Sequence, residues 1–355
     1  MEWVAPLYSR SEVDAAGVVL AEKAPSPDAL AQSLLIINNW RASHHFPLNT
    51  FQSTLRRKVE SYADSLVVQR IKRLGAIQHK LQKHTDKPIP LSEMQDIGGC
   101  RAVLKNESQV QRLCGAYHEG DLKHELLRKD DYIRNPKYSG YRGIHLIYSY
   151  KSDKKATYNG LKIEVQLRSQ LQHAWATAVE IVGFFRRELL KSSEGDVVWK
   201  QFFKLMAAEI AFQEKAALGV PGTPSDRNKL RDQLCRCEEK LDAINYLGTL
   251  GSLRAMAEMD TSNAHYFLLE LDIAQKSLRI RGYTLSARER ASMDYAAVEK
   301  AIFGSEEHDA VLVSADSFAD LKRGYVNYFL DINRFVQAVE NITKGKLSGA
   351  KTASV

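Results

Sequence analysis

The stretch NGLKIEVQLRS, residues 159–169, constrains the fold more than any other part of the chain, because it alternates. Leu161, Ile163, Val165 and Leu167 fall on one face of an extended strand, and Glu164, Gln166 and Arg168 share the other. DIGGCRAVL and YRGIHLIYSY are alternating or apolar runs bounded by glycine and are predicted as strands. SLVVQRIKRLGAIQHKLQKH reads as a short strand, a basic turn and a helix. Residues 27–45 form an amphipathic helix with Leu30, Leu34, Ile37 and Trp40 or Arg41 along one side. Pro47 is expected to stop it, with Asn49 or Thr50 capping the next helix. QLQHAWATAVEIVGFFRREL and VWKQFFKLMAAEIAFQEKAAL are helical, and GVPGTPSDRNK reads as a linker. Beyond it come a helix (KLRDQLCRCEEKLDAINYLGTL), a hairpin (HYFLLELD and SLRIRGYTL), a helix (YAAVEKAIF), a strand (AVLVSA) and one long closing helix (SFADLKRGYVNYFLDINRFVQAVENI). The predicted class is α+β, divided into residues 1–220, a linker at 221–230 and a smaller α+β part at 231–355.

With 355 residues, 44% hydrophobic and 26% charged, the chain has an ordinary globular composition. Its best apolar run, LLIINNW, is far too short to span a bilayer. No basic start leads into an apolar stretch at the N-terminus, so export is not expected and the cytoplasm is. Four cysteines do not make a disulfide framework at this length. Cys100 and Cys114 are expected to be buried small hydrophobes. Cys235 and Cys237 form a C-x-C without a second pair, so no zinc is expected. Charge is uneven: residues 1–220 hold 32 Lys+Arg against 24 Asp+Glu, and residues 221–355 hold 18 against 19. A basic first part suits a polyanionic substrate, nucleotide phosphates or RNA.

Four segments combine into a phosphate-handling constellation. RIKRLGAIQHK supplies Arg70, Lys72 and Lys80. MQDIGGCR places Asp96 and Arg101 at the ends of a glycine-rich strand edge. PKYSGYRGIH supplies Lys137, Tyr141 and His145 around two glycines. IEVQLR supplies Glu164, Gln166 and Arg168. Two separated carboxylates, Asp96 and Glu164, suit Mg²⁺ shared with substrate phosphates. The cations suit a phosphate chain whose charge shifts during transfer.

These residues, in this order, resemble the RelA/SpoT nucleotidyl-synthetase domain from about residue 50 to about residue 190. The resemblance implies a mixed central sheet flanked by helices, and transfer of pyrophosphate from ATP to a 3′-hydroxyl with AMP leaving. It implies that Arg70 stacks on the ATP adenine, that Lys72, Lys80 and Arg101 serve the donor, and that Asp96 binds Mg²⁺. Tyr141 would stack on the acceptor base, with Lys137, His145 and Arg168 nearby. Glu164 would contact Mg²⁺ and act as base, positioned by Gln166. Gly143 and Ala76 stand where serines are common in the family. A His commonly follows a glutamate in the helix after the catalytic strand, but here Ile181 follows Glu180. His173, Trp175 and Trp40 are expected to be structural. The pair His308–Asp309 is not taken as a hydrolase metal site.

The opening WRASHHFPLNTFQSTLR and the ending YVNYF resemble the toxic branch of small alarmone synthetases, especially the fused toxin–antitoxin defence proteins called CapRel. That resemblance implies a tRNA 3′ end as acceptor and a pseudo-zinc-finger-like C-terminal domain acting as antitoxin. It implies an inhibitory Y-x-x-Y element, Tyr325 and Tyr328, and a phage protein, typically a capsid protein, as trigger. On a continuous helix Tyr325 and Tyr328 would project from one side as an aromatic wedge. The alternatives are an alarmone synthetase using GDP or GTP, and tyrosines that pack in a core beside Phe329 and Phe335.

Overall fold

A computed structural model of the chain describes residues 3–83, 89–118, 122–186, 196–216, 219–250, 254–257, 263–275, 277–305, 307–315, 317–325 and 332–350. The elements begin with α1 (Arg10–Ala21), α2 (Pro27–Ser43), α3 (His45–Val59), β1 (Leu66–Ile71), α4 (Leu74–Lys83), β2 (Gly98–Leu104) and α5 (Glu107–His118). There follow β3 (Glu125–Asp131), β4 (Ile144–Ser149), β5 (Lys162–Ser169), α6 (Gln170–Phe185), α7 (Val197–Gln213), α8 (Arg227–Leu241) and α9 (Ala243–Leu250). The chain closes with β6 (Arg254–Ala257), β7 (Tyr266–Asp272), β8 (Ser277–Tyr283), α10 (Arg288–Ala301), β9 (His308–Ser314), α11 (Phe318–Gly324) and α12 (Asn333–Ala350). The fold class is α+β, with a mixed sheet flanked by helices.

Local chemistry sets several helix starts. Ser9 and Glu12 form a reciprocal capping box on α1, and Ser26 caps α2 with Pro27 in its first turn. Pro47 does not stop a helix: α3 already starts at His45, and Pro47 lies in its first turn, where no helical N–H is lost.

The strands form one nine-stranded sheet in the order β3-β4-β5-β2-β1-β9-β7-β8-β6. β2 with β5 and β6 with β8 are parallel, and the other pairs are antiparallel. The C-terminal strands therefore extend the sheet of the first half. The seam is short: β1 and β9 pair at Gln69↔Ser314 and Arg70↔Val313, helped by Gln69 Nε2 donating to Ser314 Oγ at 2.9 Å.

Directly opposed residues of paired strands share a face, and this sorts the molecule into two sides. On one side Val67, Cys100, Ala102, Ile163, Val165 and Leu167 join the N-terminal helices in the main core. The same side continues under α10, where Leu268 and Leu312 pack with Ala291 and Tyr295. On the other side lie Arg70, Arg101, Glu164, Gln166 and Arg168, beside an apolar patch of Leu66, Val68, Val103, Phe267 and Val313 covered by Leu321 and Tyr325. A separate aromatic cluster ties α6, α7 and α12 together through Trp175, Phe202, Phe203 and Phe335.

The long closing helix is broken. α11 ends at Gly324, and Tyr325 leaves helical geometry with φ −120° and ψ 41°. The bend turns the Tyr325 ring into the patch over β1 and aims its hydroxyl at the Gln69 carbonyl, to which it donates. Close approach explains the glycine before it: a Cβ at Gly324 would lie 2.2 Å from Val68 Cγ1. Tyr328 and Phe329 lie outside the described residues. Phe335 belongs to the α6–α7 cluster and not to the Tyr325 patch. Among the described residues no helix is long and apolar enough to cross a membrane.

Candidate active site

The alternation of β5 delivers what it predicts. Ile163, Val165 and Leu167 are fully buried on the core side, while Glu164 and Gln166 face the other way, toward β2 and β4. His145 of β4 stands opposite Gln166 in register, and its Nδ1 lies 2.7 Å from Glu164 Oε1. His145 Nε2 is 2.5 Å from the Tyr141 hydroxyl oxygen, which also accepts from Arg168 at 2.7 Å. Gln166 donates to Glu164 Oε2 at 2.5 Å and accepts from Arg101 Nε at 3.1 Å. The result is a continuous chain from Arg168 through Tyr141 and His145 to Glu164, with Gln166 bridging back to Arg101.

Gly140 makes the loop that delivers Tyr141. Its φ is +94°, and a Cβ there would sit 2.7 Å from Ala207 Cβ, so only glycine closes this turn against α7. Across it the Lys137 carbonyl accepts from Gly140 N–H at 2.8 Å. Lys137 is exposed, with its ammonium 4.4 Å from the Tyr132 ring centre and 5.4 Å from that of Tyr141. Tyr141 itself is buried, with Arg168 5.0 Å from its ring centre. Lys137 and Arg168 thus both lie near the ring on which the resemblance places a base.

Electrostatics follow from this packing. Burial works against the His145 imidazolium, but Tyr141 and Glu164 outweigh it and raise the pKa to about 9. At neutral pH both ring nitrogens then donate, one to Glu164 and one to Tyr141. Burial also opposes ionisation of Tyr141, and the donors Arg168 and His145 still draw its hydroxyl down to about 8. Burial resists the Glu164 carboxylate, yet His145 and Gln166 hold it below its usual range. Arg101 is pushed down by burial and by the like charges of Arg168 and Arg70. A guanidinium does not shed its proton in a protein, so this marks a crowd of cations suited to an anion.

The sign for His145 is definite. Its folded pKa lies above the ordinary 6.5, so its stabilisation is complete below about 6.5 and is lost as pH rises through about 9. We predict that the imidazole proton resonances of His145 show the protonated form at pH 7 and titrate near 9. In Glu164→Gln the midpoint should fall. A wild-type midpoint near 6.5 would contradict the chain of donors.

The second cluster lies at the end of β1. Lys72 Nζ is 2.8 Å and Lys80 Nζ 2.9 Å from the two oxygens of Asp96. Burial raises the Asp96 pKa, but the two ammonium groups outweigh it and hold the carboxyl well below the carboxylate range. Burial likewise lowers the Lys72 pKa, with Asp96 opposing. Glu164 also feels the negative charge of Asp96, which works to raise its pKa. Among the described residues no group of three or more metal-ligating side chains occurs. Mg²⁺ ordinarily takes one or two carboxylates and completes its shell with phosphate and water oxygens, and Asp96 with Glu164 fits that donor set.

Every site residue expected from the sequence lies in this region except Tyr328, which is outside the described residues. Arg70 stands opposite Gly99 on the site's face. Trp175 and Trp40 are buried core residues. Cys100 and Cys114 are buried as expected. His173 is buried in α6, consistent with a structural residue. Asp309 pairs with Arg73, and His308 lies 3.4 Å from Asp272. Tyr132 was not foreseen. It packs edge-on against Tyr141 and His145 at 5.6 and 5.3 Å, and nothing in the charged run before it signals that place.

Comparison with known proteins finds a family region over the same stretch of chain. A family model described as the region found in RelA / SpoT proteins matches residues 69–182. The GTP pyrophosphokinase YjbM of Bacillus subtilis is 32% identical over 123 residues, 31% of this chain and 52% of its own length. A GTP pyrophosphokinase of Haemophilus influenzae is 31% identical over 119 residues, 34% of this chain and 14% of its own. The chain thus spans about half of one relative and a small part of the other. The crystal structure of small alarmone synthetase 1 from Bacillus subtilis with its product pppGpp is 20% identical, covers 48% of this chain and 89% of that chain, and has a TM-score of 0.42.

Proposed function

From the RelA/SpoT region at residues 69–182, we propose that this chain is a pyrophosphokinase that moves the β,γ-pyrophosphate of ATP onto a ribose 3′-hydroxyl. The observation that carries the reading is a sheet face bearing Glu164 with Arg70, Arg101 and Arg168, next to an Asp96 carboxylate held by Lys72 and Lys80 at the end of β1. The acceptor oxygen forms a bond to the β-phosphorus. The bond from that phosphorus to the α–β bridging oxygen breaks, and AMP leaves. Both Glu164 oxygens already accept from a donor, so the carboxylate is ionised, and its remaining lone pairs receive the acceptor's O–H. Lys72, Lys80 and Arg101 stabilise charge on the donor phosphates. Mg²⁺, held by Asp96 and Glu164 together with those phosphates, would supply further charge neutralisation.

We further propose that the acceptor is a tRNA 3′ end. The basic surplus of residues 1–220 supports it. The printed names of the relatives, GTP pyrophosphokinases, support the alternative, GDP or GTP. Incubation with γ-labelled ATP and either tRNA or GTP separates the two. Label is expected at the tRNA 3′ end with release of AMP. Label confined to guanosine nucleotides would remove the tRNA acceptor and keep the pyrophosphokinase, whereas no transfer to either would remove both.

The C-terminal part is proposed as a brake. Tyr325 and α11 cover the site's own sheet face beside Arg70, and the Tyr325 hydroxyl is bound to the carbonyl of the residue before it. The ring feels the charges of Arg70 and Arg101. A partner that draws this segment away would release the site, and by resemblance we take a phage protein, a capsid protein, as that trigger.

A further inference from the structure

The turn between β1 and α4 bears Lys72, and the two peptide groups that follow this residue are gripped from distant parts of the chain. The Lys72 carbonyl accepts from Arg41 Nε at 3.0 Å, and the Leu74 N–H donates to Glu299 Oε1 at 2.9 Å. Glu299 belongs to α10, 225 positions further on. Arg41 clamps it with NH1 at 2.6 Å and NH2 at 3.1 Å, and the Tyr295 hydroxyl donates to the same Oε1 at 2.6 Å. Arg41, Tyr295 and Glu299 are 4%, 7% and 6% exposed, so water does not compete for these bonds.

A purely structural ion pair would end at its two charges. This one ends on backbone. The first N–H groups of a helix lack intrahelical partners, and Glu299 supplies one for α4, the helix that carries Lys80. The Lys72 N–H is meanwhile fixed on the Ile97 carbonyl at 2.8 Å, next to Asp96. The Lys72–Arg73 peptide and the start of the Lys80 helix are thus held by one buried carboxylate and its arginine.

We propose that Glu299 and Tyr295 are positioning residues of the donor site, acting through the 72–74 turn to set Lys72 and Lys80 on the ATP phosphates. The C-terminal half is then a component of the donor site, and donor binding and the placement of α10 are coupled in both directions. The inference rests on the reading of Lys72 and Lys80 as donor-phosphate ligands.

The test measures binding of an ATP analogue with a methylene α–β bridge, with Mg²⁺, to the full chain by calorimetry. Tyr295→Phe removes one buried hydroxyl without stranding a charge, whereas Glu299→Gln leaves Arg41 unpaired and serves as the second variant if it folds. Tyr295→Phe is expected to weaken analogue binding about tenfold, the scale of one hydrogen bond to a charged group. The KM for the acceptor should stay unchanged. In a Lys72→Ala background the same substitution should have a smaller further effect, the part that acts through Lys80. Equal affinities for wild type and Tyr295→Phe would overturn the proposal, as would an equal loss in both backgrounds. A wild-type chain that does not bind the analogue at all removes the donor reading, and this inference with it.

Discussion

Glu164→Gln is expected to lower pyrophosphate transfer by roughly 10²–10⁴-fold, the range for loss of a positioned acid–base group. The amide keeps the size of the side chain and can still accept from His145, so the fold should persist. It loses the negative charge that holds the acceptor O–H and stands beside Asp96. His145 also loses the anion that supports its imidazolium, so the variant changes the charge of the whole chain from Arg168 to Glu164. The assay is release of AMP from ATP in the presence of acceptor, with circular dichroism to check the fold. Transfer within threefold of wild type would show that the carboxylate is not the group that receives the acceptor.

Tyr325→Ala combined with Tyr328→Ala is expected to raise transfer at least tenfold and to make expression arrest growth without any trigger. Tyr325 fills the patch formed by Leu66, Val68 and Val103 and donates a buried hydrogen bond to Gln69. Emptying a buried aromatic position typically costs about 3–5 kcal/mol, enough to favour lifting α11 off β1. Gly324→Val should act in the same direction by a different route, since the added side chain collides with Val68. Agreement between a cavity and a collision would locate the effect in α11 seating. A folded, active double variant with unchanged transfer and growth would assign Tyr325 to the core alone.

The strands of the first half were legible because a half-buried strand writes its environment as period-two alternation. That pattern put Glu164, Gln166 and Arg168 on one face before any coordinates. β3 was not legible: ELLRKDD at Glu125–Asp131 is charged along both faces and sits at the sheet edge, so no apolar face disciplines it. The break at Tyr325 escaped for the opposite reason. The local pattern is helical, and only contact with Val68 and Gln69, more than 250 positions away, explains the bend. Arg41 falls beside Trp40 at the apolar side of its helix and Glu299 is one charge within another helix, and their meeting depends on strand order, which no local pattern contains. For the same reason local pattern predicts a small second α+β part at 231–355 and does not contain the shared sheet.

The seam in that sheet has a consequence for how the protein is made. Strands β1 to β5 have all been translated by Ser169, but β9, which covers the open edge of β1, ends at Ser314. At roughly 5–20 residues per second, the ribosome takes on the order of ten seconds to supply it. Throughout that interval the nascent first half presents a bare strand edge, an invitation to misassembly. It also lacks Glu299, the cap on the helix of Lys80. A newborn chain is therefore without the segment proposed as its brake and, by the same delay, without the α10 contacts proposed to position its donor site.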